Sequence, residues 1–201
     1  DGIWEALTDP VCGLIMGATA ENLAERYEIS REEQDKYAVE SHKKAFKAQR
    51  MDKFKEEIVP VEIVKRVAGQ EVAREVVSQD EGVNPTLTVS KAALYPTVFK
   101  KNGTVTPANA CPLNDAAAAC IVTTADRAAE LGLKPRARIV SYSFVGVDPA
   151  YMGIGPAYAM PKALKKAGLS LDDIGVIELN EAFAVQAMSC GIEMQRQGYN
   201  W

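Results

Sequence analysis

The 201-residue sequence is 47% hydrophobic and 25% charged with a formal net charge of -4. That composition excludes disorder as its main theme and leaves room for one large or two small cores. No apolar run approaches the roughly 18 to 20 residues that cross a bilayer, and the opening Asp1-Gly2-Ile3-Trp4-Glu5 lacks a basic segment followed by an apolar one. A soluble, cytoplasmic protein with no membrane partner is expected, and the absence of a basic excess weighs against nucleic acid as the main partner.

In chain order, Thr19 can cap a short helix over "AENLAERY". Ser30 and Glu33 then form an S-x-x-E capping box that opens a longer helix over residues 31–50. Its apolar positions Tyr37, Ala38, Ala45 and Ala48 line one side, with Glu40, Lys43, Lys44 and Lys47 facing solvent. The basic run from Lys43 to Lys55 reads as a solvated face or as a contact for an anionic cofactor. From Ile58 to Glu81, alternation in "IVPVEIVKRV" and "EVAREVV" around Ala68-Gly69 predicts a peripheral β-hairpin. Residues 82–107, rich in Pro, Gly, Asn, Thr and Ser, wind over the surface, and a boundary falls near Leu113.

Beyond it, "LNDAAAACIV" is an Ala-rich apolar segment, followed by a helix that Gly132 stops. "ARIVSYSFVGV" reads as a strand. Pro156 opens a helix to Ala167 that Gly168 closes, with Pro161 in its first turn or kinking it. "IGVIELN" is a short buried strand and "EAFAVQAMSCGIEMQRQG" a helix. Strands alternating with helices predict an α/β layered core in this second half. The sequence opens on Asp1 rather than Met and stops at Trp201 just after a helix, so an excerpt of a longer protein is expected.

Cys12, Cys111, Cys120 and Cys190 are widely spaced, without a C-x-x-C pair, and His42 is the single histidine, so no metal site is expected. Cys120 and Cys190 read as buried, reduced thiols. His42, mid-helix among charged residues, is a poor base for a Cys or Ser nucleophile. Asp172 and Asp173 are explained by turn formation and capping. Two stretches leave alternatives open. In "TPANACPLNDAAAA", Asn109, Cys111, Asn114 and Asp115 either cap and turn, or frame backbone N–H groups that hold an anion and depress a thiol's pKa. In "VIELNEAFAVQA", Asn180 and Glu181 either cap a helix and complement its dipole, or form a site where a strand ends. In the second case Asn180 orients a water or donates to a developing oxyanion.

Four stretches together resemble the thiolase family of acyl-CoA acetyltransferases: "NEAFA" at 180–184, "MGATAENLAERYEISREEQD" at 16–35, "GTVTPANACPLNDAAAA" at 103–119 and "GVDPAYMGIGP" at 146–156. They occur in the family's order and spacing. The resemblance implies a layered αβαβα fold, partial here, with an inserted α+β loop domain. Residues 1–113 would be the loop domain that cradles coenzyme A, 114–135 the end of the first half, and 136–201 the start of the second. It implies reversible Claisen condensation or thiolysis of 3-ketoacyl-CoA through an acyl-cysteine intermediate, with coenzyme A or acyl-CoA as substrate and no prosthetic group. Full-length members are homo-oligomers, dimers or tetramers.

Of the family's catalytic groups, the resemblance assigns only Asn180, which holds the water of one oxyanion hole. The nucleophilic Cys would lie upstream of Asp1, and the G-H-P histidine and acid/base Cys downstream of Trp201, so the chain alone is expected to be inactive. Met16 and Met152 match methionines of the acyl pocket, Phe99 and Phe183 aromatics of the pantetheine channel, Ala110 and Cys111 the dipeptide against the pantetheine arm, and Ser90 a residue near the adenosine phosphate. Cys111 replaces the usual Ser, Ala108 and Ala116 replace Gly, and Ile15 stands where some biosynthetic members carry His. Rival readings are a non-catalytic acyl-CoA or lipid-binding module, and a nucleophilic Cys111.

Overall fold

The computed structural model describes residues 2–201. A short helix α1 (Gly2–Ala6) leads into α2 (Met16–Tyr27) and α3 (Arg31–Arg50), followed by an antiparallel hairpin of β1 (Val61–Val67) and β2 (Gln70–Val77). Then come α4 (Val89–Ala92), α5 (Ala125–Glu130), a 3₁₀ turn at Pro149–Ile154, α6 (Gly155–Ala167), a second 3₁₀ turn at Leu171–Asp173 and α7 (Ala184–Arg196).

Local chemistry sets most of these boundaries. The Ser30 hydroxyl accepts from the Glu33 N–H while the Glu33 carboxylate accepts from the Ser30 N–H, which is the predicted capping box. Glu40, Lys43, Lys44 and Lys47 are exposed and Ala38 and Val39 buried, as an amphipathic helix requires. Ala68 and Gly69 both take positive φ, 50° and 81°, the handedness that lets a two-residue turn match strand twist. Ser170 and Asp173 form a second capping box, so the Asp172-Asp173 pair is structural at Asp173.

Thr19 does not cap α2. The helix begins at Met16, after Leu7 O accepts the Met16 N–H, and Thr19 is buried inside it with its hydroxyl donating to Met16 O at 2.7 Å. Pro161 lies in the interior of α6 rather than in its first turn. A proline there cannot donate to the carbonyl four residues earlier, and that carbonyl, Ala157 O, instead accepts from the Gln197 side chain at 3.2 Å.

The main core is helical. Leu23 and Ala20 of α2, Ile154 of the 3₁₀ turn, Ala157 of α6, and Val185, Cys190 and Met194 of α7 close around Val105. A smaller cluster joins Val39, Leu87, Ala92 and Ala108. The strands expected in the second half are the main correction. Among the described residues the hairpin is the one sheet, and residues 111–124, 137–148 and 176–181 carry neither helix nor strand. A strand needs a neighbour to complete its hydrogen-bond ladder, and none lies alongside these segments. Their apolar side chains stay exposed, Ile121 at 88%, Phe144 at 84% and Val176 at 77%. Cys120, expected to be buried, is exposed for the same reason; Cys190 is buried. The segment at 141–147 still alternates half-buried and exposed residues. Its inner face is tied to α6, where Ser141 and Ser143 donate to the Ala163 and Ala159 carbonyls at 2.7 and 3.1 Å.

Candidate functional site

The polar pair Asn180-Glu181 precedes α7 but does not cap it. The N-cap position is Phe183, without a side-chain cap, and the first turn of α7 carries no acid. Glu181 instead faces α3, where its carboxylate accepts from the Tyr37 hydroxyl at 2.8 Å and the Ser41 hydroxyl at 2.5 Å. Burial, reinforced by that bond to Glu181, pushes the Tyr37 phenol well above its ordinary value. Asn180 is left exposed at the boundary of two recesses.

The smaller recess, about 240 Å³, is bordered by Met16, Ala20 and Leu23 of α2, Met152 and Gly153 of the 3₁₀ turn, and Asn180, Phe183 and Gln186 at the entry to α7. Four predicted site residues, Met16, Met152, Asn180 and Phe183, therefore meet in one cavity although 164 positions separate the first from Asn180. Its wall is flexible thioether and flat aromatic surface, suited to a narrow apolar chain. The larger recess, about 880 Å³, is an open groove between α3 and α7, bordered by Tyr37, Ser41, Lys44, Phe54, Asn180 and Ile192 among others.

Phe99 stands edge-on to Phe183, ring centroids 6.2 Å apart and planes at 85°. It is seated over Gly17, where a Cβ would lie 2.3 Å from the Phe99 ring, so the glycine is what admits the aromatic. Ala110 bridges to Phe183, and the Cys111 N–H donates to Ala182 O at 2.9 Å. Ala110 and Cys111 thus run beside the Phe183 wall, with the Cys111 side chain exposed. Ser90 is not brought into either recess. It sits exposed on α4 with its hydroxyl 3.0 Å from that of Thr88.

The loop around Asn109 has no anion-holding helix start, because no helix follows it until Ala125. Asn109 is buried instead, its side chain bonded to Asp35 and Thr104 and its carbonyl to the Ala184 N–H. His42 accepts the Asn84 N–H at Nδ1, 3.1 Å, and burial holds its pKa below the ordinary value against the opposing charge of Glu181. Burial pushes the Cys190 thiol up to about 11, which leaves it protonated and inert near neutrality. Among the described residues no group of three or more His, Cys, Asp and Glu is placed to hold a metal ion, and no helix is long and apolar enough to cross a membrane.

Sequence reasoning missed Gln186, Glu21 and Asp35. Gln186 is buried at 7% exposure, borders the small cavity, and has a side-chain oxygen without a hydrogen-bond partner. The spacing Phe183, Gln186, Ala187, Cys190, Met194 follows one helical face and could have shown it turned inward. Glu21, 3% exposed, accepts from the Thr104 N–H and hydroxyl and from the Val105 N–H, all at 2.9 Å. No local pattern announces that contact across 83 residues of chain.

This geometry is that of a partial α/β fold with an apolar cavity at the entry to α7, and comparison with known proteins defines it further. The N-terminal domain of thiolase matches residues 1–126 and the C-terminal domain of thiolase residues 133–199. The chain belongs to the thiolase family. It is 47% identical over 193 residues to a probable acetyl-CoA acyltransferase of Staphylococcus epidermidis, covering 96% of this chain and 48% of that protein. With an acetyl-CoA acetyltransferase of Paracoccus denitrificans it shares 48% over 194 residues, covering 96% and 47%. Among solved structures, the Bacillus anthracis acetyl-CoA acetyltransferase superposes with a TM-score of 0.91 at 45% identity, over 97% of this chain and 48% of that one. Human mitochondrial 3-ketoacyl-CoA thiolase in complex with CoA gives 0.83 at 39%, over 97% and 47%. The chain thus spans about half the length of the relatives it matches. Its fold is a partial thiolase α/β fold.

Proposed function

We propose that this chain supplies the coenzyme A cradle and one wall of the acyl pocket of an acyl-CoA C-acetyltransferase. That enzyme makes or breaks a carbon–carbon bond next to a thioester through an acyl-cysteine intermediate. The observation that carries the reading is the convergence of Met16, Met152, Asn180 and Phe183, from three separated stretches, on one apolar cavity of about 240 Å³. A relative solved in complex with CoA at 39% identity supports the ligand class.

In this reading the Met16 and Met152 side chains enclose the acyl group, and Phe99 and Phe183 flank the pantetheine arm, which passes along Ala110 and Cys111. The Asn180 amide holds a water, or donates directly, at the thioester oxygen where negative charge develops. One such donor contributes roughly 3 kcal/mol to the transition state. Ser90 belongs to the adenosine end, remote from the cavity. Residues 1–113 act as the loop domain, 114–135 complete the first half and 136–201 begin the second. The full-length form is a homo-oligomer.

Asn180 is the one catalytic group this reading assigns among the described residues. His42 is occupied by Asn84 and Cys190 is a protonated core thiol; in this reading the chain binds acyl-CoA without turning it over. Calorimetric titration with acetyl-CoA, paired with a thiolysis assay on acetoacetyl-CoA, tests both halves. Binding without thiolysis is expected. Thiolysis by the chain would refute its inactivity, and no binding of either thioester would refute the cradle.

A further inference from the structure

The cavity wall that carries Asn180 and Phe183 is not held by its own sequence neighbours alone. The Ala184 N–H, at the first residue of α7, donates to Asn109 O at 2.9 Å, and the Cys111 N–H donates to Ala182 O at 2.9 Å, so residues 109–111 grip residues 182–184 from the side. Asn109 is 3% exposed and all of its polar atoms are used. Its Oδ1 accepts the Thr106 N–H at 2.8 Å, and its Nδ2 donates to Thr104 O at 3.1 Å and to Asp35 Oδ1 at 2.9 Å.

Asp35, with 1% of its side chain exposed, spends its second oxygen on Arg31 Nε at 2.8 Å. The other end of that guanidinium donates to Ala92 O and Tyr95 O at 2.7 and 3.1 Å, the first being the last carbonyl of α4, the single helical turn that carries Ser90, and the second lying three residues beyond it. One continuous run of hydrogen bonds therefore leads from the Ser90 turn through Arg31, Asp35 and Asn109 to Ala184. A buried carboxylate is costly unless it is paired and hydrogen-bonded, and here each Asp35 oxygen has a partner. A fully satisfied buried network of this kind fixes one geometry rather than merely adding stability.

We propose that Asp35 and Asn109 are positioning residues. They set where residues 182–184 stand, and so hold Asn180 and Phe183 opposite Met16 and Met152 at the spacing an acyl thioester needs. The same network ties that wall to the turn bearing Ser90. Neither residue touches the cavity, and both act through the Ala184 and Cys111 bonds. The inference rests on the acyl-CoA reading for its ligand, and on the geometry alone for its action on the wall.

The test uses the 201-residue chain, Asp35→Asn, Asn109→Ala and the double variant. Residue-resolved amide exchange and acetyl-CoA titration are run at a temperature where each is folded. In either single variant the Ala184 and Cys111 amides should exchange at least tenfold faster while the Cys190 and Met194 amides in the core of α7 keep their protection. Acetyl-CoA should bind about tenfold more weakly. The double variant should resemble Asn109→Ala, because the two side chains act in one relay. Uniform loss of protection along α7 would mark a merely structural role and overturn the proposal, as would unchanged Ala184 and Cys111 exchange. If the exchange pattern appears but wild-type chain binds no acetyl-CoA, the placement of the wall stands and the acyl-CoA reading falls.

Discussion

Phe99 and Phe183 meet edge to face, with ring planes at 85° and centroids 6.2 Å apart, and they join the loop after α4 to the entry of α7. Such an arrangement places the positive edge of one ring on the negative face of the other, which adds to the area both bury. Because each ring is half-buried, the pair stabilises the chain less than a core pair does.

Replacing Phe99 by Ala should therefore cost about 2 kcal/mol, below the range for a fully buried Phe. The companion substitution Phe183→Ala should cost a similar amount. The two together should cost about 1 kcal/mol less than their sum, because the edge-to-face contact is counted in both singles. Urea unfolding of the four proteins in the cycle measures this, and strict additivity would show that the rings do not interact.

His42 predicts a pH effect. Its folded pKa lies below the ordinary 6.5 because burial disfavours the imidazolium, with Glu181 acting in the opposite direction. A depressed folded pKa means that the unfolded chain binds the proton more tightly. The stability contributed by neutral His42 is then complete above about pH 6.5 and is lost as pH falls through the folded value. Between about pH 7.5 and about pH 5.5, wild type should lose more stability than His42→Asn, which keeps an acceptor for the Asn84 N–H without the titration. Denaturant midpoints for both proteins across that range check it, and parallel curves would contradict it. Carboxylates titrate in both proteins and cancel in the difference.

Gln197 and Pro161 form a compensating pair. With the proline in place, Ala157 O has the Gln197 amide as its donor, and Gln197→Ala should cost about 1 kcal/mol by removing it. In a Pro161→Ala background the main chain recovers its own N–H for that carbonyl. Gln197→Ala should then be close to neutral. Thermal or urea unfolding of the cycle distinguishes this coupling from a simple loss of surface contact, which would cost the same in both backgrounds.

What could be read from the sequence was short-range. Ser30 and Glu33 cap α3 because a side chain three residues on reaches back to a free N–H, and Ala68-Gly69 turn the hairpin because the turn's backbone sign is set by two residues. The site was half legible. Met16, Met152, Asn180 and Phe183 lie in motifs that resemble the family when taken together, and the fold brings them to one cavity. Ser90 was named with them and stands apart on α4.

The tertiary structure decided the rest, for reasons that do not lie within any one segment. Whether "ARIVSYSFVGV" becomes a strand depends on a neighbour to complete its ladder, and β-propensity cannot supply one. Thr19 reads as a cap until Leu7 O captures the Met16 N–H and starts the helix a turn earlier. Glu181 reads as a helix-dipole carboxylate until α3 brings Tyr37 and Ser41 to it across 144 and 140 residues. Glu21 and Asp35 carry no local sign of their work, and Asn109 reads only as a turn or anion-site residue, because a buried hydrogen bond is specified by the position of its partner, and only the folded chain sets that position.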